Sequence, residues 1–208
     1  MRLWNYKFHI LVWKVLKKAY RTFHVFCSTQ RTHMLFWLNG VQSESIRAIG
    51  VPYVNVSLGG RVVVGKNLSI RTGCDVTEVG TVGSRILVGP HGCLRIGNHV
   101  GMSNCTLVAQ ESVSIGDDVL LGGGVQIFDT NFHSLDARNR CSTVPQDDRN
   151  HVKTAPVVIG NRVFIGTNAL ICKGVSIGDE AIVAAGSVVV HDIPPGEIWG
   201  GNPAQKLR

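Results

Sequence analysis

The sequence predicts an all-β protein, a parallel β-helix entered through a basic helical segment, and three observations carry that prediction. Aliphatic residues recur at every sixth position over most of the chain beyond Val64. Glycine makes up 24 of 208 residues without the one-in-three period of collagen, which implies many tight turns. The whole net charge of +7 lies ahead of Glu44.

The leading segment, residues 1–50, holds seven bases before Glu44 (Arg2, Lys7, Lys14, Lys17, Lys18, Arg21 and Arg31) and no acid, whereas from Glu44 onward 14 Lys and Arg face 14 Asp and Glu. Phe8, Val12, Val15, Ala19, Phe23 and Phe26 recur at three- and four-residue steps, with Lys14, Lys18 and Arg21 on the other side. That is the pattern of an amphipathic helix. Lys14 interrupts its apolar run well short of the ~20 residues that span a bilayer, and no small-residue cleavage site follows, so neither a transmembrane helix nor a signal peptide is expected. Two readings stand open. The helix packs on the main domain with its basic face in water, or Trp4, Tyr6 and Trp13 among the bases bring it to an anionic membrane. Basic charge without a nucleic-acid motif gives no reason to expect nucleic acid.

Asn39-Gly40, Gly50-Val51-Pro52 and Gly59-Gly60 then mark turns around short β-rich pieces such as Tyr53-Val54-Asn55-Val56, a lead-in to a domain at 51–208. Val64, Ile70, Val76, Val82, Val88 and Leu94 keep an unbroken six-residue beat. After a slip of two come Ile96, Met102 and Val108, and after a slip of one Ile115, Leu121 and Ile127. Ile159, Ile165, Ile171, Ile177, Val183 and Val189 resume it, each of the first five followed four residues later by Val163, Ala169, Val175, Ala181 or Ser187. Six residues make one short strand and turn, and three strands close a triangular coil whose interior admits the aliphatic. A helix array is excluded, because a six-step is neither 3.6 nor 7. Five or six coils are expected.

Ile159-Gly160-Asn161-Arg162-Val163-Phe164-Ile165-Gly166, Gly174-Val175-Ser176-Ile177-Gly178-Asp179, Asp192-Ile193-Pro194-Pro195-Gly196 and Gly200-Gly201-Asn202-Pro203-Ala204 resemble the hexapeptide-repeat O-acetyltransferases, which include galactoside, maltose and polysaccharide-cluster sugar acetyltransferases. The resemblance covers residues from about 60 to 208. It implies a left-handed coil, which the period alone does not fix, and a homotrimer with coenzyme A lying between adjacent subunits.

From 128 to 157 the repeat is suspended by a polar loop that contains Asp129, Asn131, His133 and Asp136. A long polar excursion from a rigid scaffold is usually functional, and a histidine there can take and return a proton near neutral pH. The resemblance makes His133 the general base, oriented by Asp129 as the favoured carboxylate or by Asp136 as the alternative. It points to Asn131 and Asn104 for the acceptor, and to Phe164, Gly166, Thr167, Ala185, His191 and Arg208 for acetyl coenzyme A. His191 stands where the family often has Lys. The expected reaction is acetyl transfer to a hydroxyl of a sugar or polysaccharide precursor, soluble or lipid-linked, with no metal. Two other readings remain: an N-acyltransferase acting on an amino sugar, and a non-catalytic β-helix scaffold. Zinc-dependent enzymes on the same repeat need a close histidine pair, whereas His91 and His99 stand eight apart. Six scattered cysteines without a CxxC pair fit free thiols in a reducing, cytoplasmic setting, peripheral to the inner face of a membrane if the helix binds there.

Overall fold

The structure, a computed structural model, describes residues 2–73 and 83–208, with side chains from Lys7 onward. The repeat positions Val76 and Val82, Cys74, and the side chains of Trp4 and Tyr6 lie outside what is described. One long helix, α1 (Arg2–Leu38), precedes a left-handed β-helix whose three walls are sheets of six, eight and six strands.

The first coil comprises β1 (Gln42–Ser43), β2 (Ile46–Ile49) and β3 (Tyr53–Val56), and the second β4 (Arg61–Val64), β5 (Leu68–Arg71) and β6 (Arg85–Val88). Thus residues 42–49, read from the sequence as part of the leading segment, already form wall. The third coil is β7 (Cys93–Ile96), β8 (Gly101–Ser103) and β9 (Thr106–Ala109), and the fourth β10 (Ser112–Ile115), β11 (Leu120–Leu121) and β12 (Gln126–Phe128). After a loop holding two short helices, α2 (Ala137–Arg140) and α3 (Pro145–Asn150), the fifth coil follows as β13 (Val157–Ile159), β14 (Phe164–Ile165) and β15 (Leu170–Ile171). The sixth is β16 (Ser176–Ile177), β17 (Ile182–Val183) and β18 (Val188–Val189). A final antiparallel hairpin, β19 (Ile198–Gly201) and β20 (Ala204–Lys206), extends the second wall.

Each wall pairs residue for residue with the coil above and below, as in Leu120↔Phe164 and Phe164↔Ile182. Alternate side chains therefore point into the prism, and the beat aliphatics Ile70, Leu121, Ile127, Ile165 and Ile171 are at most 1% exposed. One beat position differs. Val108 pairs with the outward residues Leu87 and Phe128, and the inward pair on that strand is Leu107 and Ala109. The one-residue slip thus falls at the Ser103–Cys105 corner, where Asn104 takes φ of +48°, one turn earlier than the spacing suggests.

A parallel β-helix leaves an open edge at each end, and α1 covers the first. Thr29 Oγ1 donates to the Ala48 carbonyl and accepts its N–H, Asn39 Oδ1 accepts from Val56 N–H, and Phe36 plugs the interior at 1% exposure. Ser28 and Thr32, buried on the same helix side, complete the contact. Toward its N-terminus α1 leaves the prism, and every described side chain from Lys7 to Phe23 is exposed.

Candidate active site

The suspended repeat becomes a stalked loop at the corner between the third and first walls. Its neck is closed by a Thr130↔Thr154 bridge, by Asn131 N–H to the Lys153 carbonyl at 3.1 Å and by Ala155 N–H to the Asp129 carbonyl at 3.0 Å. Thr154 Oγ1 adds a 2.6 Å bond to Glu111 Oε2 in the coil above. Beyond the neck, Phe132 adopts φ of +64° with its N–H on Thr130 Oγ1, and its ring meets Phe128 edge-on at 5.0 Å. This turn brings His133 outward. Asp136 caps α2, while Pro145 opens α3 with Asp147 and Asp148 in its first turn.

α3 thereby delivers Asp148 to His133. Asp148 Oδ2 accepts from His133 Nδ1 at 2.6 Å and Oδ1 accepts from Ser134 N–H at 2.7 Å. One carboxylate holds both the ring and the backbone beside it. The His133 bond, then the Ser134 amide, keep the Asp148 carboxyl below the usual carboxylate range, with the His133 and Arg140 charges adding to the effect. An ionised Asp148 accepts only, so Nδ1 carries the hydrogen and Nε2 presents its lone pair outward. Arg140 Nη1 on the Ser134 carbonyl, at 2.7 Å, fixes the loop from behind. The imidazole is 68% exposed, a base held in place but walled on one side.

The carboxylates expected to orient His133 do other work. Asp129 is fully buried, and its oxygens accept from the N–H groups of Gln110 and Glu111 at 2.8 to 2.9 Å, pinning the corner of the coil above. Burial pushes its carboxyl up, against the pull of those amides. Asp136 is taken by Arg138 and by the start of α2. Asp148 escaped notice because it lies 15 residues from His133 in sequence. Its one signal is the Pro145-Gln146-Asp147-Asp148 run, which reads as the start of a helix.

Asn131 stands at the neck, half-buried beside His133. Asn104 is buried, with Oδ1 accepting from Gly73 N–H at 2.9 Å, at the far end of the third-wall strands from the loop. Within one chain it does not meet His133. Gly166, Thr167 and Ala185 do come together, at the corner between the second and third walls on consecutive coils. A Cβ on Gly166 would fall 2.5 Å from Ala185 N, and Gly186 N–H donates to the Thr167 carbonyl. Phe164 stands 42% exposed on the second wall, and Arg208 closes beside Ile198 on that wall. His191 lies apart from these, at the His133 corner two coils further on. Cys105 is buried, its thiol pushed up to about 12 by desolvation, and serves as packing. Among the described residues no three His, Cys, Asp or Glu converge as metal ligands.

Residues 95–128 and 156–190 match the family model described as the hexapeptide repeat of succinyl-transferase. The galactoside O-acetyltransferase of Escherichia coli K12 is 33% identical over 135 residues, 62% of this chain and 63% of that protein. The chain thus spans less than two thirds of that relative's length. A Vibrio cholerae hexapeptide-repeat acetyltransferase, solved with acetyl coenzyme A, is 36% identical over 62% of this chain and 69% of its own, with a TM-score of 0.49. An N-acyltransferase of Bacillus cereus, AntD, aligns over 85% of this chain and 88% of its own with a TM-score of 0.63 at 16% identity, a likeness of fold.

Proposed function

We propose that this chain, a member of the hexapeptide-repeat acetyltransferases, transfers an acetyl group from acetyl coenzyme A to a hydroxyl of a sugar or polysaccharide precursor. The observation that carries the reading is the His133–Asp148 pair, a fixed imidazole with its free nitrogen turned out of a scaffold corner. The acceptor hydroxyl attacks the thioester carbonyl while His133 Nε2 takes its proton. The tetrahedral intermediate then collapses, the C–S bond breaks, and the same nitrogen returns the proton to the departing thiolate. Asp148 keeps the tautomer and balances the imidazolium formed between the two transfers.

Acetyl coenzyme A fits the residues on and beside the second wall. The exposed Phe164 ring, the Thr167 hydroxyl, the Gly166 and Ala185 backbone and the Arg208 charge supply apolar, polar and cationic contacts along one strip. His191 and the His133 loop, at another corner, would meet that strip across a subunit boundary, as would Asn104 if it contacts the acceptor that Asn131 borders. This reading therefore includes a homotrimer, and it places the leading helix in peripheral contact with an anionic membrane where lipid-linked acceptors reside. Transfer to an amino group is the second reading, favoured by the likeness of fold to an N-acyltransferase.

The test is thiol release from acetyl coenzyme A with a panel of sugars, nucleotide sugars, amino sugars and lipid-linked saccharides, with products scored by mass and by alkaline lability. An alkali-labile acetyl ester supports the hydroxyl acceptor. An alkali-stable amide moves the reading to nitrogen, and no release with any acceptor leaves a scaffold.

A further inference from the structure

The face of α1 that meets the prism is its polar one. Ser28, Thr32 and Phe36 pack on the first coil, and stepping back along the helix at 100° per residue their side continues as Lys14, Lys18 and Arg21. The apolar stripe lies on the opposite side and faces away from the molecule. It runs from Phe8 through Val15, Phe23 and Phe26 to Met34 and Trp37, and Phe23, Phe26 and Trp37 are 67%, 60% and 78% exposed. A helix docked by its apolar side would show the reverse.

We propose that α1 lies flat on an anionic lipid surface, its stripe in the headgroup and acyl boundary, so that the prism stands with its capped end toward the membrane. The inference deepens the membrane part of the proposed function and is independent of the transfer chemistry. Charge complementarity selects the occupant. The helix carries no acid, and Lys14, Lys18 and Arg21 stand behind the stripe within one helix width, roughly 10 Å, of the same surface, about one Debye length. The coils beneath continue the same sign. Arg47 on the first coil and Arg61, Arg71 and Arg85 on the second are all exposed. Among the described residues of those coils the one acid, Glu44, is paired with Lys66 at 3.5 Å. Coils rise ~4.8 Å each, so these guanidiniums stay within about one Debye length of the capped end. A second copy of the helix fits poorly. A 3.5-residue seam through Val12, Val15 and Ala19 next presents Thr22, Phe26, Thr29 and His33, three of the four polar, and its bases have no acid to pair with. Nucleic acid offers the bases a partner but leaves the aromatic stripe in water.

The experiment is sedimentation of the full chain with phosphatidylcholine vesicles, with and without phosphatidylglycerol, at low and high salt, alongside transfer to a soluble acceptor and light scattering. Wild type is expected to partition at least about tenfold more onto the anionic vesicles at low salt, and to lose much of that at high salt. Phe23→Glu with Phe26→Glu abolishes binding at both salts, and Lys14→Glu with Lys18→Glu abolishes the salt-sensitive part. Neither pair changes melting temperature or soluble transfer, because none of these side chains touches the prism. Equal binding to both vesicle types, no binding at low salt, or stripe variants that alter the assembly while vesicle binding persists would each overturn the proposal. A chain that binds vesicles but transfers no acetyl group sinks the catalytic reading and leaves this one standing.

Discussion

His133 and Asp129 sit four residues apart and do different work, and paired substitutions separate the two roles. If His133 carries the proton as proposed, His133→Ala should lower kcat by about 10² to 10⁴ with the melting temperature unchanged. Asp148→Asn keeps an acceptor oxygen but frees the ring to turn. A loss of about 10- to 10²-fold in kcat with KM nearly constant is expected, partly restored by Asp148→Glu, as suits a positioning residue. Asp129→Ala instead leaves the Gln110 and Glu111 amides without an acceptor in a buried corner, which costs about 1–3 kcal/mol for each unmet group. Its signature is a lowered melting temperature with the pH profile of turnover unmoved. If Asp129→Ala melts like wild type yet loses turnover, the assignment to Asp148 is wrong.

At the scale of the coil, the glycine after each aliphatic has a cause that only stacking reveals. Gly97, Gly116 and Gly160 each face an Asx oxygen of the next coil, and a Cβ there would come within 2.4 Å of Asp117, 2.6 Å of Asn161 and 2.3 Å of Asp179. Those oxygens accept N–H groups in series, from Asn98 to Asp117, from Asp117 to Asn161 and from Asn161 to Asp179, at 2.7, 2.9 and 2.8 Å. The Asn98 and Asn161 amides keep the Asp117 and Asp179 carboxyls below their ordinary range. A folded-state value below the unfolded one means that their stabilisation is complete above about pH 4 and is lost as pH falls through the depressed values. Asp117→Asn retains the acceptor and matches its neighbours Asn98 and Asn161, so the acid limb of a melting curve against pH should become shallower. An unchanged limb would exclude Asp117 as a contributor.

The inward beat was legible because one aliphatic per side fills the prism, and it failed at Val108 because spacing cannot say at which corner an extra residue is absorbed. The histidine loop was legible as an interruption. Its Asp148 was not, since the pairing depends on how α3 folds back. The helix was legible too, but composition could not tell that Thr29 and Asn39 satisfy the open edge of the first coil, or that Phe36 rather than Phe23 or Phe26 plugs it.

The whole molecule is organised by surfaces that a single prism leaves incomplete. The loop helices bury none of their side chains, and the His133 ring is two thirds exposed, so the acceptor meets one wall only. On the second wall, Leu120, Phe164, Ile182 and Ile198 stack in register, with Leu120 and Phe164 54% and 42% exposed. Such a continuous outward apolar column on a closed coil fits an interface between copies, and cyclic closure gives every copy the same seam. On the proposed reading, a trimer would bring one chain's coenzyme strip beside another chain's His133 corner and carry three α1 stripes to one end, where they would engage a membrane together. Light scattering should therefore give three times the 22.5 kDa of the chain. Leu120→Glu puts a charge in the seam away from His133 and next in register to Phe164 of the coenzyme strip, so coenzyme A binding by the variant is measured alongside. The substitution should split the assembly and abolish thiol release together, with the melting of the coils little changed because that side chain already stands outside the core. A stable monomer that transfers acetyl groups at the wild-type rate would show that one prism carries a complete site, and the second wall would have to be sought in the loop itself.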